Sequence, residues 1–355
     1  MAWGNASLED GSSISGKIVI NLLQKIQNDL YLIKVNTPFD EGHVNVYLFL
    51  GKDGVDAIDI GPHSGNTLEL LADCFDELKI RFSDLKNIFL THGHEDHAGL
   101  GEYFASNFSA NIYIHSKDVV FYNNYRGSKF ISKEKISGSF LKLGVPNNLL
   151  EEIYFYVSKK WPIYNCKFDN FKYLDEISTI RAGNYDLNVL YTPGHSPGSV
   201  CYYFDKERYL FTGDTVLPNI TANPGSIIFI DMMLNGDNYN NPLGELIDSL
   251  KRIRKNHVKY IFPSHGKTTI SGDIIIERYL MHHKNRLNDI VNALKENGVS
   301  TCFQICRKIY KILGDRDLML QLLEIESHLR LLEYEEKVLK VNLPGLPLMY
   351  GWEIL

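Results

Sequence analysis

The segment Thr91-His92-Gly93-His94-Glu95-Asp96-His97-Ala98-Gly99 packs three imidazoles and the Asp96 carboxylate between His92 and His97, directly after a short apolar stretch, Asn87–Leu90. Neutral imidazole nitrogen and carboxylate oxygen are the ligands that zinc, iron and manganese accept. In an extended chain, side chains two positions apart point the same way, so His92 and His94 are expected to grip one ion together. A tight turn permitted by the flanking glycines would then carry Asp96 and His97 to a second position nearby. Four ligands are too few for a pair of ions, but the chain offers three more in comparable settings. His195 lies in Thr192-Pro193-Gly194-His195-Ser196-Pro197-Gly198, Asp214 in Phe211-Thr212-Gly213-Asp214-Thr215, and His265 in Phe262-Pro263-Ser264-His265-Gly266. Each follows a strand-like run, so four strand ends deliver ligands to one edge. A lone loop histidine is usually solvated or satisfied by a neighbour, and His115, His257 and His282 are read that way. For the full set of seven, chance is a poor account.

The elements that must position these residues can be read from periodicity. Short strands are expected at Leu30–Val35, Asn45–Leu50, Val55–Ile60, Asn87–Leu90, Asn111–Ile114, Ile177–Arg181, Leu187–Tyr191, Val200–Phe204, Tyr209–Phe211 and Tyr260–Phe262. A helix carrying Leu68, Leu71, Phe75 and Leu78 intervenes, and the rhythm implies an α/β fold of sheets covered by helices. Residues 116–175 are too long for a loop, and the spacing of Leu149, Ile153 and Val157 predicts a helical insertion ending near Trp161-Pro162. From residue 274 to 355 the pattern is helix (Ile276–Glu296), helix (Thr301–Leu313), and a third helix with Leu318, Leu322, Ile325, Leu329 and Leu332 on one face. Two short strands follow, Lys337–Val341 and Leu348–Trp352, joined by the turn Pro344–Pro347. Three helices and a ribbon make a winged-helix arrangement. The expected organisation is a flexible arm (1–16), a catalytic unit (17–273) and a winged-helix-like unit (274–355).

His92-x-His94-x-Asp96-His97, followed in order by His195, Asp214 and His265, resembles the signature of the metallo-beta-lactamase superfamily, over roughly Leu30 to His265. The resemblance implies an αββα sandwich. It also implies that one ion, most simply zinc with iron or manganese as alternatives, takes His92, His94 and His195. The other would take Asp96, His97 and His265, with Asp214 bridging. Asp59, in Ile58-Asp59-Ile60-Gly61, matches the family's first motif, where an acid orients a ligand imidazole. A hydroxide bridging the ions would be the nucleophile, and Asp96 would both hold metal and pass a proton to the leaving group.

Branches of the family differ at readable positions. True beta-lactamases lack the bridging Asp, which this chain has at Asp214. Flavodiiron proteins carry Glu where His94 stands, and add a flavin domain. The RNA-processing branch inserts a large domain where only 50 residues separate Asp214 from His265. Glyoxalase II matches the ligand set, without a counterpart here of its basic glutathione-binding tail. The tail, with Tyr279-Leu280-Met281-His282-His283-Lys284-Asn285-Arg286 as its opening helix, resembles the winged-helix module of one group of these hydrolases, some of which are endoribonucleases.

The leading expectation is therefore a hydrolase of a small ester, thioester or lactone, with residues 116–175 roofing the metals and Leu217–Pro224 lining the pocket floor. A metal-dependent endoribonuclease is the alternative, supported by interleaved aromatic and basic residues in Phe121–Phe130. A mononuclear-iron oxygenase of persulfide dioxygenase type is a third. A net charge of -6 and a pI near 6.1 give no global pull toward nucleic acid or an anionic membrane. From Ser271 to Leu355 the chain carries eleven basic and twelve acidic residues, so the tail is read as a packing or homodimer element that does not grip duplex DNA. Five scattered cysteines without a CxxC pair, no apolar run of membrane length and no secretory pattern fit a cytoplasmic protein. Cys302 and Cys306 are expected to be buried packing residues.

Overall fold

The computed structural model describes residues 22–37, 42–119, 132–160, 169–219, 221, 224, 239, 241–310, 315–345 and 349–355. The proposed arm at 1–16, the aromatic–basic run 121–130 and Cys166 lie outside them.

Two sheets face each other. In the first, β1 (Leu23–Gln27), β2 (Leu30–Asn36), β3 (His43–Leu50), β4 (Val55–Ile58), β5 (Leu85–Phe89), β6 (Asn111–Ile114) and β7 (Phe171–Tyr173) lie in chain order. The first four are antiparallel neighbours, and β4 through β7 run parallel. The second sheet has β8 (Thr179–Ala182), β9 (Tyr185–Tyr191), β10 (Val200–Phe204), β11 (Tyr209–Gly213), β12 (Tyr260–Pro263) and β13 (Thr269–Ile270), with only β11 and β12 parallel. Strand periodicity of two sorts the side chains into layers. On β3, Val44, Val46 and Leu48 face an outer core with α1 (Thr67–Glu77) and α3 (Gly101–Phe108). Tyr47 and Phe49 face the second sheet instead. On β10, Tyr202 points between the sheets, and Cys201 and Tyr203 meet α6 (Pro242–Arg254) on the far side. The order is helix, sheet, sheet, helix.

Local chemistry starts the helices where they are needed. α6 has Pro in its first turn, and the Asn241 side chain accepts from the Gly244 N–H at 3.0 Å, satisfying one of the free amides there. Its buried Leu246, Leu250 and Ile253 form one stripe on the second sheet. The three strands missing from the sequence reading, β1, β7 and β13, are short edge or near-edge pieces with few buried residues. β7 makes the last part of 116–175 sheet rather than helix.

A fourth core lies apart from the sandwich. The helices inside 116–175, α4 (Lys133–Lys142) and α5 (Asn147–Lys160), pack with the end of α7 (Gly272–Asn297), α8 (Cys302–Ile309), α9 (Asp315–Tyr334), β14 (Val338–Asn342) and β15 (Tyr350–Ile354). Phe140, Ile153, Cys302, Cys306, Leu322, Leu329 and Trp352 are buried there. The apolar faces of α4 and α5 are thus spent on the C-terminal helices, not on a roof over the metal-ligand residues. α8 begins with a capping box: Thr301 Oγ1 accepts from the Gln304 N–H at 3.2 Å, and Gln304 Oε1 from the Thr301 N–H at 2.8 Å. α7, of 26 residues, joins the cores, with Ile275, Ile276 and Tyr279 on the second sheet and Ile290, Ala293 and Leu294 in the fourth core. The Leu318, Leu322, Ile325, Leu329 and Leu332 face of α9 is buried. Among the described residues, no helix is long and apolar enough to cross a membrane.

Candidate metal centre

β4, β5 and β6 are parallel, so their carboxyl ends share one edge, and β11 and β12 end opposite them. Asp59 follows β4, Thr91 to His97 follow β5, His195 follows β9, Asp214 follows β11 and His265 follows β12. The structure brings all seven proposed ligands together as three overlapping trios, each with its ligand atoms within 4.8 Å: His92, His94 and His195; His92, His97 and Asp214; Asp96, His97 and His265. The swing from His94 to Asp96 and His97 is made by α2 (Glu95–Ala98), a single helical turn capped by extended His94, rather than by a glycine turn. Gly99 is required for space, since its backbone is ordinary helix but a Cβ there would lie 2.5 Å from both Glu95 Oε1 and the His63 nitrogen.

Hydrogen bonds fix which imidazole nitrogens face inward. His97 Nδ1–H donates to Asp59 Oδ2 at 2.9 Å, and His265 Nδ1–H to the His43 carbonyl at 2.8 Å. Thr91 Oγ1 donates to Asp59 Oδ2 at 2.9 Å and so accepts from His92 Nδ1–H at 3.0 Å. All three rings therefore turn Nε2 toward the centre, and in the neutral form offer its lone pair there. His94 differs: its Nδ1 lies 2.9 Å from His92 Nε2 and 3.1 Å from His195 Nε2. Asp214 reaches across, with Oδ2 3.6 Å from both His195 Nε2 and His97 Nε2 and Oδ1 3.6 Å from His265 Nε2.

Asp59 anchors this arrangement, accepting from the Thr91 N–H (2.8 Å) and Ser264 Oγ (3.3 Å) as well. It holds a left-handed backbone (φ 56°), which Asp tolerates better than most residues.

The donor set fits divalent cations. His97 Nε2 and Asp214 Oδ1 are buried and make no hydrogen bond among the described residues, an arrangement that is costly unless something else satisfies them. Protons feel the same field that a cation would. Burial opposes charge on His265, but Asp214 and Asp96 raise it to about 9, and Asp96, Asp214 and Asp59 likewise raise His97 against burial. Burial, then the neighbouring His195, pushes His94 down to about 3, and burial with His97 holds His92 well below its usual range. Burial alone would raise Asp96, yet His97 and His265 bring it to about 2. Neutral imidazoles and ionised carboxylates are the metal-binding forms, and loading would expel the protons on His97 and His265.

Several contributors carried no signal in the sequence reading: His43, Thr91, Ser264 and above all Asp118. Fully buried at the end of a single turn after β6, Asp118 accepts from the Gly93 N–H (2.8 Å), Ser196 Oγ (2.6 Å) and the Gly198 N–H (2.6 Å). Burial pushes its carboxyl up to about 6 against these three donors. Its place just past a parallel strand, at the edge carrying the other acids, is the clue that could have found it. Of the histidines set aside, His115 stacks on Tyr191 and His282 bonds Glu324 at 2.8 Å.

Residues 39–265 match the model of the metallo-beta-lactamase superfamily, and the chain belongs to that family and is a metallo-hydrolase. It is 28% identical over 316 residues to "Probable metallo-hydrolase YqjP" of Bacillus subtilis, covering 87% of this chain and 94% of that one. A "Probable polyketide biosynthesis zinc-dependent hydrolase", PksB of the same organism, is 26% identical over 203 residues, 56% of this chain and 64% of that one. Among solved structures, a metallo-beta-lactamase family protein of Thermus thermophilus superposes with a TM-score of 0.73 at 24% identity, covering 93% of this chain and all of that one.

Proposed function

We propose that the chain hydrolyses a small ester, thioester or lactone, with two divalent cations, zinc in the first instance, held by the seven residues of the centre. One observation carries the paired reading: the Asp214 carboxylate lies 3.6 Å from a histidine of each outer trio, His195 on one side and both His97 and His265 on the other. His92, His94 and His195 would hold one ion, Asp96, His97 and His265 the other. Such cations would supply Lewis acidity toward a carbonyl oxygen and lower the pKa of a water. Asp96 Oδ2, 3.2 Å from His265 Nε2 and partly open to solvent, is placed to carry a proton to the departing group. Asp59, through His97 and Thr91, keeps the rings in the right tautomers. The complete Asp96, His97 and His265 trio favours this over a mononuclear-iron oxygenase.

The small substrate is favoured by the C-terminal helices. A winged-helix-like reading of α7 to β15 predicts basic groups at a nucleic acid, but α9 buries its apolar face, and Glu324 and Glu326 are engaged by Arg286 and Arg330. We read this part as a packing or homodimer element. The test is a screen of zinc-loaded protein against thioesters, lactones, phosphodiesters and RNA. Turnover of thioesters or lactones is expected; cleavage of RNA alone would overturn the small-substrate reading in favour of an endoribonuclease.

A further inference from the structure

The two loops that bear the first trio, Gly93 between His92 and His94 and Ser196 after His195, are not neighbours in the chain and share no strand. One carboxylate ties them. Asp118 Oδ2 accepts from the Gly93 N–H and from Ser196 Oγ, and Oδ1 from the Gly198 N–H. The donors are fully determined. Ser199 Oγ accepts from the Ser196 N–H at 3.0 Å and donates to Ser196 Oγ at 2.7 Å, leaving the Ser196 hydroxyl proton for Asp118. The fit is also steric: a Cβ on Gly198 would lie 2.7 Å from Asp118 Oδ1. Asp59 supports the cluster from another direction, bonding His97 directly and, through Thr91, His92.

We propose that Asp118 is a positioning residue that sets the separation of His92 and His94 from His195, and so governs the affinity of one of the two metal positions. Asp59, bonded to His97 and through Thr91 to His92, touches both positions. This rests on the reading that the trios hold cations. Asparagine at 118 would put an NH2 group against at least one of three donors, pushing the loops apart without changing size.

The experiment is stepwise Zn2+ and Co2+ titration of the full chain against a chelator of known affinity, with the Co2+ absorption bands and the metal-free melting temperature as further readouts. Asp118→Asn should weaken one binding step by about ten- to hundredfold, the range for residues that orient ligands. It should leave the other step near wild type and alter the Co2+ bands. Asp59→Asn, which touches a ligand of each trio, should weaken both steps and so serves as the non-selective comparison. Ser196→Ala, which removes one donor only, should act in the same direction with a smaller loss, and it decides the matter if Asp118→Asn does not fold. Wild-type affinities at both steps in Asp118→Asn, or in Ser196→Ala should Asp118→Asn not fold, would overturn the assignment, as would equal weakening of both steps with a fall in metal-free stability. A wild-type chain that binds no Zn2+ would overturn the metal reading itself, a separate outcome.

Discussion

In the proposed reaction Asp96 is the residue on which binding and proton transfer would meet, since its Oδ2 lies 3.2 Å from His265 Nε2 and 3.5 Å from His97 Nε2. Asp96→Asn keeps the shape but offers a weaker ligand and no proton, so kcat/KM should fall by orders of magnitude, about 3–5 kcal/mol of transition-state stabilisation, with circular dichroism unchanged. Elemental analysis should find close to two ions per chain, and His265→Ala should lower that count; one ion in both proteins would remove the paired reading. Chelation should abolish turnover, and zinc should restore it. The cluster of candidate ligands was legible in the sequence because imidazoles and carboxylates rarely crowd into so few residues after a strand. Of their supports only Asp59 was read, through the family resemblance; the others were not, because hydrogen bonding erases chain distance: His265 leans on the carbonyl of His43, and Asp118 on Gly93. Nothing local distinguishes such an Asp from a solvated one.

At the scale of elements, α7 reaches the metal edge indirectly. Tyr279 OH accepts from the Leu217 N–H at 2.7 Å and donates to the Leu217 carbonyl at 2.8 Å, while Arg278 bonds the Pro218 carbonyl at 2.7 Å. These hold the chain three and four residues past Asp214. Tyr279→Phe would leave a buried N–H and C=O without partners, so a loss of about 1–3 kcal/mol is expected in a thermal melt, with KM rising more than kcat falls. Further along, His283 and His328 share a 3.2 Å bond, both fully buried, beside Glu324, which His282, Arg286 and Tyr310 engage. Burial, reinforced for His283 by His328, lowers His283 to about 3; burial lowers His328 to about 4 against the pull of Glu324. In the unfolded chain both would take a proton near pH 6.5. Between there and about pH 4 the unfolded state binds more protons, so stability must fall as pH falls, by up to about 1.4 kcal/mol per unit for each histidine. The melting temperature should drop over that window, and His328→Gln should make the drop shallower; equal slopes would remove the pair as its source. Helices α5, α7 and α9 were legible from apolar spacing, but an amphipathic stripe does not name its partner, so the pairing of α4 and α5 with the C-terminal helices was not.

For the whole molecule, that pairing means the chain order and the cores do not coincide. Removing residues 274–355 would strip partners from α4 and α5 and uncover the outer face of the second sheet, where Ile275, Ile276 and Tyr279 now sit. The truncated chain should be poorly soluble and bind a hydrophobic dye strongly; a monodisperse, dye-silent product would show that the sandwich stands alone. Intact protein should give no salt-sensitive submicromolar binding to duplex DNA in an anisotropy titration, in keeping with the tail's balance of acids over bases. The shared fourth core also has a consequence in time. On a ribosome adding roughly 5–20 residues each second, α5 emerges about 10–40 s before β15, whose Trp352 closes the core that α5 enters. Until α7 to α9 follow, the nascent chain displays Phe140, Ile153 and Val157 with only one another for native company. It is there, while His265 and then the C-terminal helices are still to come, that a chaperone would find its foothold.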